Sequence, residues 1–127
     1  MRTDRKNIIV ELSTDFALDV IKFTRELSKS ERHISNQLFR SGTSIGANVR
    51  EAQNAESKAD FIHKLKIAAK EADESAYWLE LCRRSEFLPT NDDLEKNIET
   101  ISKILSKIIS SSKKGKSSNY QIDTLPN

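Results

Sequence analysis

Residues that make turns are scarce in this chain, with two prolines and three glycines among 127 residues. That scarcity argues against folds built from many short strands and leaves few, long elements. A single cysteine, Cys82, excludes an intramolecular disulfide framework and fits a reducing compartment. No apolar run approaches the roughly 20 residues of a membrane span. The run near the start, Ile8-Ile9-Val10, is also too short for a signal peptide. These absences lead to the expectation of a soluble, cytoplasmic protein with no membrane partner. Charge of one sign is lacking too. The net charge of +2 resides in residues 112 to 127, where Lys113, Lys114 and Lys116 stand against Asp123. The remainder is neutral overall, so global charge does not point to phosphate-rich partners.

What is abundant is Ala, Leu, Ile, Glu, Lys and Ser, and the apolar members recur with a helical period. Leu12, Phe16, Val20, Phe23 and Leu27 form one stripe, which predicts a helix starting near Ser13. Ile8 to Val10 read as an extended lead-in. Ser28 and Glu31 have capping-box spacing, as do Ser57 and Asp60. A second stripe runs Ile34, Leu38, Ile45, Val49 and Ala52, with Ser41 at the missing step. Phe61, Leu65, Ala68, Ala72, Ala76 and Leu79 make a third. Pro89-Thr90-Asn91-Asp92-Asp93 stops one helix and starts the next, with acids where the helix dipole favours them. Leu94, Ile98, Ile101, Leu105 and Ile108 complete the set. The reading is an all-α, antiparallel up-down-up-down four-helix bundle over residues 1–111, with helices at about 13–28, 30–55, 58–86 and 91–110. Residues 112–127 are too polar to bury and read as a disordered tail.

The second helix contains Arg40-Ser-Gly-Thr-Ser-Ile-Gly-Ala-Asn-Val-Arg-Glu-Ala52, with Gly42 and Gly46 four residues apart. Each glycine costs a helix about 1 kcal/mol relative to alanine. Close approach of a neighbouring helix offsets that cost. A phosphate-cradling loop would need G-x-x-x-x-G-K-[ST] after a strand, and neither the spacing nor the strand is present.

Four stretches together resemble a known family: Asn7 to Leu18, Gln37 to Gln53, Ser57 to Ala72 and Tyr77 to Leu81. They are similar to the small four-helix proteins encoded in intervening sequences of bacterial large-subunit ribosomal RNA genes. The resemblance runs from about Asn7 to Leu88, with Arg40 to Gln53 as its most specific block. It implies a four-helix protomer that assembles into a ring-like homopentamer and has no established enzymatic activity. A related branch, the accessory proteins of diversity-generating retroelements, consists of strongly basic pentamers that bind nucleic acid and a reverse transcriptase. The neutral body of this chain departs from that branch.

The residues support self-association in their own right. Ile67, Glu71, Glu74, Trp78 and Leu81 form a second stripe on the third helix, and Leu18 and Ile21 lie off the inner face of the first. A lone bundle buries one stripe per helix, so Ile67, Trp78, Leu81, Leu18 and Ile21 are the candidate subunit interface. The alternative is that Trp78 packs over a helix edge or over Ile8 to Val10.

Arg40, Ser44, Asn48 and Glu51 share one side of the second helix and suggest a polar network between helices or subunits. No nucleophile stands beside a base there, and no catalytic residues are assigned. Metal binding in a bundle calls for paired Glu-x-x-His motifs; His63 follows Asp60 by three and could pass for one half, but His33 follows Ser30 and the second half is missing. Neither cofactor nor metal nor small-molecule substrate is therefore expected. Cys82 should be a buried, inert thiol. The candidate nucleic-acid contacts are Arg50, Lys58, Lys64, Lys66 and Lys70, interleaved with acids and without aromatic stacking platforms. Two functions follow: a non-enzymatic homo-oligomeric scaffold for a macromolecular partner, or an accessory protein acting with RNA or a reverse transcriptase.

Overall fold

The computed structural model describes residues 7–115. Four helices occupy them: α1 (Ile8–Leu27), α2 (Arg32–Gln53), α3 (Lys58–Ser85) and α4 (Asp92–Lys113). Each packs against its sequence neighbours, and α4 closes against α1, which leaves α1 and α3 on one diagonal and α2 and α4 on the other. The sense is antiparallel, as short connections require. Asn7 at the start of α1 donates from Nδ2 to Gln53 Oε1 at the end of α2, 3.0 Å away.

The four stripes meet in one core, with Phe16, Leu27, Leu38, Ile45, Phe61, Leu65, Leu94, Ile101 and Leu105 essentially inaccessible to solvent. Leu12, Ile34 and Ala76 sit at its edge, half-buried. Buried Ser13 and Ser41 occupy positions where a hydropathy stripe breaks. Ser13 Oγ donates to the Ile9 carbonyl at 2.7 Å, and Ser41 and Ser75 share a 2.8 Å hydroxyl bond between α2 and α3. A buried hydroxyl without such a bond costs about 1–3 kcal/mol.

Helix boundaries differ from the sequence reading at both ends. Ile8 to Val10 are the first turn of α1, and Ile9 is fully buried on its inner face. At the other end, α4 continues through Lys113, three residues beyond the expected limit of 110. Of the expected tail, Ser112 and Lys113 are thus helical, Lys114 and Gly115 follow as a turn, and residues 116–127 lie outside the described residues. The Ser28–Glu31 capping box does not form. Ser28 ends α1, while the Glu31 carboxylate itself caps α2 by accepting from His33 and Ile34 backbone N–H groups. Ser57 caps α3 by accepting from Asp60 N, and Asp60 Oδ2 accepts from Glu56 N one residue upstream of the usual partner. Asn91 caps α4. Glu86 ends α3 in a left-handed conformation with φ of 69°, and Phe87 follows at 82 % exposure.

The glycines answer to α1. A Cβ on Gly42 would lie 2.9 Å from Val20 Cγ2 and 3.0 Å from its Cγ1, inside contact distance. A Cβ on Gly46 would meet the Ser13 carbonyl at 3.4 Å, an ordinary contact. The two positions therefore separate. Gly42→Ala sets an overpacking cost of about 1–3 kcal/mol against about 1 kcal/mol of helix propensity, because a β-branched valine cannot swing aside freely. It is expected to lower the urea midpoint, whereas Gly46→Ala should leave it unchanged or raise it by up to about 1 kcal/mol of stability. Equal responses at the two positions would refute this account of the helix contact.

Candidate interaction surfaces

The polar set on α2 divides in two. Arg40 reaches α3, with Nη1 3.2 Å from Glu71 Oε1 and Nη2 bonded to Glu74 Oε2. Glu51 accepts from Lys64 Nζ at 2.9 Å, a second bridge from α2 to α3. Ser44 and Asn48 turn inward to their own helix, Ser44 Oγ donating to the Arg40 carbonyl and Asn48 Nδ2 to the Ser44 carbonyl. Within the protomer, then, Arg40 and Glu51 join helices while Ser44 and Asn48 do not. All four sit at or near the surface, so the pairs contribute modestly to stability.

Trp78 belongs to the same seam. Its indole is half-buried against the core, its Nε1–H donates to Glu74 Oε2 at 3.0 Å, and Tyr77 tilts against it at 5.0 Å between ring centroids. The helix-edge alternative for Trp78 is thus present in the single chain. Ile67 and Leu81 are also half-buried. The candidates left open to solvent are Leu18, at 54 % exposure, and Ile21.

Sequence reasoning missed further exposed apolar residues. Phe39 is 46 % exposed, and Ile8, Tyr77 and Phe87 are exposed as well. Gly42 against Val20, and a 2.8 Å bond from Ser35 Oγ to the Thr24 carbonyl, fix the α1–α2 register. That register puts Phe39 level with Ile21 on the outer side of the seam. Phe39 falls off the inner stripe of α2, and its signal is a large aromatic at a polar phase of the helix. Tyr77 points out from α3, one residue before the more conspicuous tryptophan.

The five candidate cations do not form one patch. Arg50 lies on the α1–α2 seam and donates to Thr14 Oγ1 at 3.0 Å. Lys64 is engaged by Glu51 on the α2–α3 seam, which raises its pKa first through the hydrogen bond and then through charge. Lys66 and Lys70 are exposed on α3 toward α4, and Lys58 stands at the start of α3 with its Nζ close to Gly115.

No group of three or more His, Cys, Asp or Glu side chains converges as a metal site among the described residues. His33 and His63 are exposed. Cys82 is buried, and desolvation, reinforced by Glu95 and Glu31, pushes its thiol pKa up and away from the reactive thiolate. No described helix is long and apolar enough to cross a membrane.

Glu74 gives the seam a pH signature. Its pKa is lowered, first by the hydrogen bond from Arg40 and next by that from Trp78, against a smaller opposing effect of burial. A carboxylate depressed in the folded state adds stability above its unfolded pKa of about 4.3 and loses that contribution as pH falls through the folded value. Glu74→Gln is therefore expected to be less stable than the native chain at pH 7, with the gap closing in acid. Parallel urea titrations at pH 7 and pH 3 check this; a gap that stays constant would contradict the ion pair's role.

The comparisons with known proteins agree with this geometry. A protein of unknown function from the S23 ribosomal protein family of Bacteroides thetaiotaomicron, known from its crystal structure, is 42% identical. The similarity covers 80% of this chain and 97% of that one, with a TM-score of 0.75. No curated protein matches. The model of one family, described as 23S rRNA-intervening sequence protein, matches residues 5–107, which include all of α1, α2 and α3 and most of α4. With that much of the fold matched, the chain belongs to the 23S rRNA-intervening sequence protein family.

Proposed function

We propose that this chain is a non-enzymatic scaffold whose identical cytoplasmic subunits close into a ring, five in number as the family resemblance implies. The observation that carries the reading is a pair of unlike apolar patches on two different faces of one bundle. On α1 and α2, Leu18, Ile21 and Phe39 face solvent. On α3, Tyr77 faces solvent beside half-buried Ile67, Trp78 and Leu81. The first patch spans the outer side of the α1–α2 seam and the second the outer side of α3 beside the α2–α3 seam, so the two face different directions.

Two unlike patches on different faces favour a head-to-tail contact, patch one of a subunit on patch two of the next. Repeated by rotation, such a contact closes into a ring. A two-fold dimer would cover the same patch on both copies and leave the other exposed. Aromatic side chains are also the usual anchors of protein interfaces. Arg40, Ser44, Asn48 and Glu51 flank the α3 patch and supply a polar rim. A macromolecular partner would then meet several copies of one surface at once, which multiplies a weak contact. The accessory role with RNA or a reverse transcriptase has less support, since its candidate cations divide among three seams.

The ring has a direct test by light scattering. Leu18→Glu and Tyr77→Glu, each with native helical circular dichroism, should both reduce the mass from several subunits to one. Mixing them at high concentration should give a two-subunit species, because each retains the patch the other has lost. A native chain with single-subunit mass would refute assembly, and variants that keep the native mass would refute these patches.

A further inference from the structure

The seam between α3 and α4 holds a feature that assembly through the apolar patches does not use. Where α3 begins and α4 ends, a groove of about 470 Å³ is lined by Lys66, Ser106, Ile109, Ser110, Lys113 and Lys114. Lys66 and Lys113 come from different helices, yet their side chains interact. The pKa of Lys66 is lowered first by the close approach of the like-charged Lys113 ammonium, then by desolvation and by the charge of Lys70. Among the described residues, no carboxylate forms an ion pair with Lys66, Lys113 or Lys114.

Helix polarity explains part of this cluster. Cations are favourable in the last turn of a helix, and Lys113 and Lys114 stand at the end of α4. It does not explain Lys66, which α3 brings to the same place. Like charges brought together oppose one another unless an anion lies between them. The hydroxyls of Ser106 and Ser110, one helical turn apart on α4, add donors to the same groove.

We propose that this groove binds a compact phosphate-bearing ligand, with Lys66 and Lys113 flanking a phosphate group and Ser106 and Ser110 donating to its oxygens. Lys114 adds charge at the groove's open end. The seam itself argues for a compact anion over a polymer. Farther along, between the same two helices, its lining turns acidic, with Glu80, Glu95 and Glu99 around Arg83. A nucleic-acid strand following the seam would run from lysines into carboxylates. The groove also has no aromatic lining on which a base could stack. Recognition therefore rests on the phosphate, with a diphosphate group as the matching class.

Inorganic pyrophosphate titrated into the full chain is the test, followed by calorimetry and by NMR of the lysine side chains. Expected are one saturable site per subunit and a rise of the Lys66 pKa on binding. Lys66→Gln and Lys113→Gln should each weaken binding on the order of tenfold. Lys103→Gln, an exposed lysine of α4 outside the groove, should leave binding unchanged. Both groove variants remove a repulsion, which for Lys113→Gln offsets the loss of a favourable charge at the end of α4, so each should fold with near-native stability. Binding that follows ionic strength alone, or that weakens equally in all three variants, would overturn the proposal. So would a short oligonucleotide that saturates these lysines where pyrophosphate does not. The groove lies within one subunit, so a failure here is separable from a failure of the ring.

Discussion

The approach of α1 to α2 at Gly42 constrains everything else in this bundle. Val20 occupies the space that a Cβ would take, and Ser13 lies against Gly46 one turn farther along. With these contacts made, the two helices have one register, and the Ser35–Thr24 and Asn7–Gln53 hydrogen bonds fall into place at either end. The same rotation of α2 turns Ser41 to the other side, where it finds Ser75 of α3. A larger residue at 42 would push the helices apart and unsettle that buried hydroxyl pair. Removing one hydroxyl while keeping the other would leave a buried group with one partner fewer.

From that register follows an asymmetry of the surface. The α2–α3 seam is closed by the chain's own side chains: Arg40 on Glu71 and Glu74, Lys64 on Glu51, and the Trp78 indole laid over the core. These exposed ion pairs add little stability individually. Their consequence lies in pairing, since they match charges between two particular helices and saturate the polar atoms there. On its outer side the α1–α2 seam carries the bond from Arg50 to Thr14 but presents Ile21 and Phe39 to solvent. One seam is finished within the subunit and the other is not.

How much of this is legible in the sequence depends on the range of the interaction. The α4 stripe, Leu94 to Ile108, is plain from periodicity because every inner position is a large aliphatic residue. Ile9 is not, because its successor on the inner face is Ser13, whose hydroxyl is satisfied by the Ile9 carbonyl and so is buried without looking apolar. The start of α2 misleads for a related reason. Ser28 and Glu31 have the right spacing for reciprocal caps, but the chain uses Ser28 to finish α1 and leaves Glu31 to act alone. Trp78 shows its size in the sequence but not its hydrogen bond, which Glu74 accepts one turn away on the same helix. The lysine groove cannot be read from spacing, since Lys66 and Lys113 meet only once α3 and α4 are antiparallel.

The proposed ring and the proposed phosphate groove are physically compatible. Tyr77 and Lys66 share α3 and are eleven residues apart, which at 1.5 Å per residue is about 16 Å along the axis. A neighbour centred on Tyr77 leaves the α4 side of the groove open, while Ile67, at the near margin of the patch, lies one residue from Lys66. The separation of Tyr77 from Lys66 is about twice the Debye length of roughly 8 Å at physiological ionic strength. At the Tyr77 anchor the lysine cluster therefore exerts only a screened repulsion, and only the Ile67 margin of the contact lies within its reach. The helix interfaces then differ in what they do. Packing of α1 on α2 sets register and presents an apolar patch, α2 and α3 are sealed together by ion pairs, and α3 with α4 concentrates positive charge at one end.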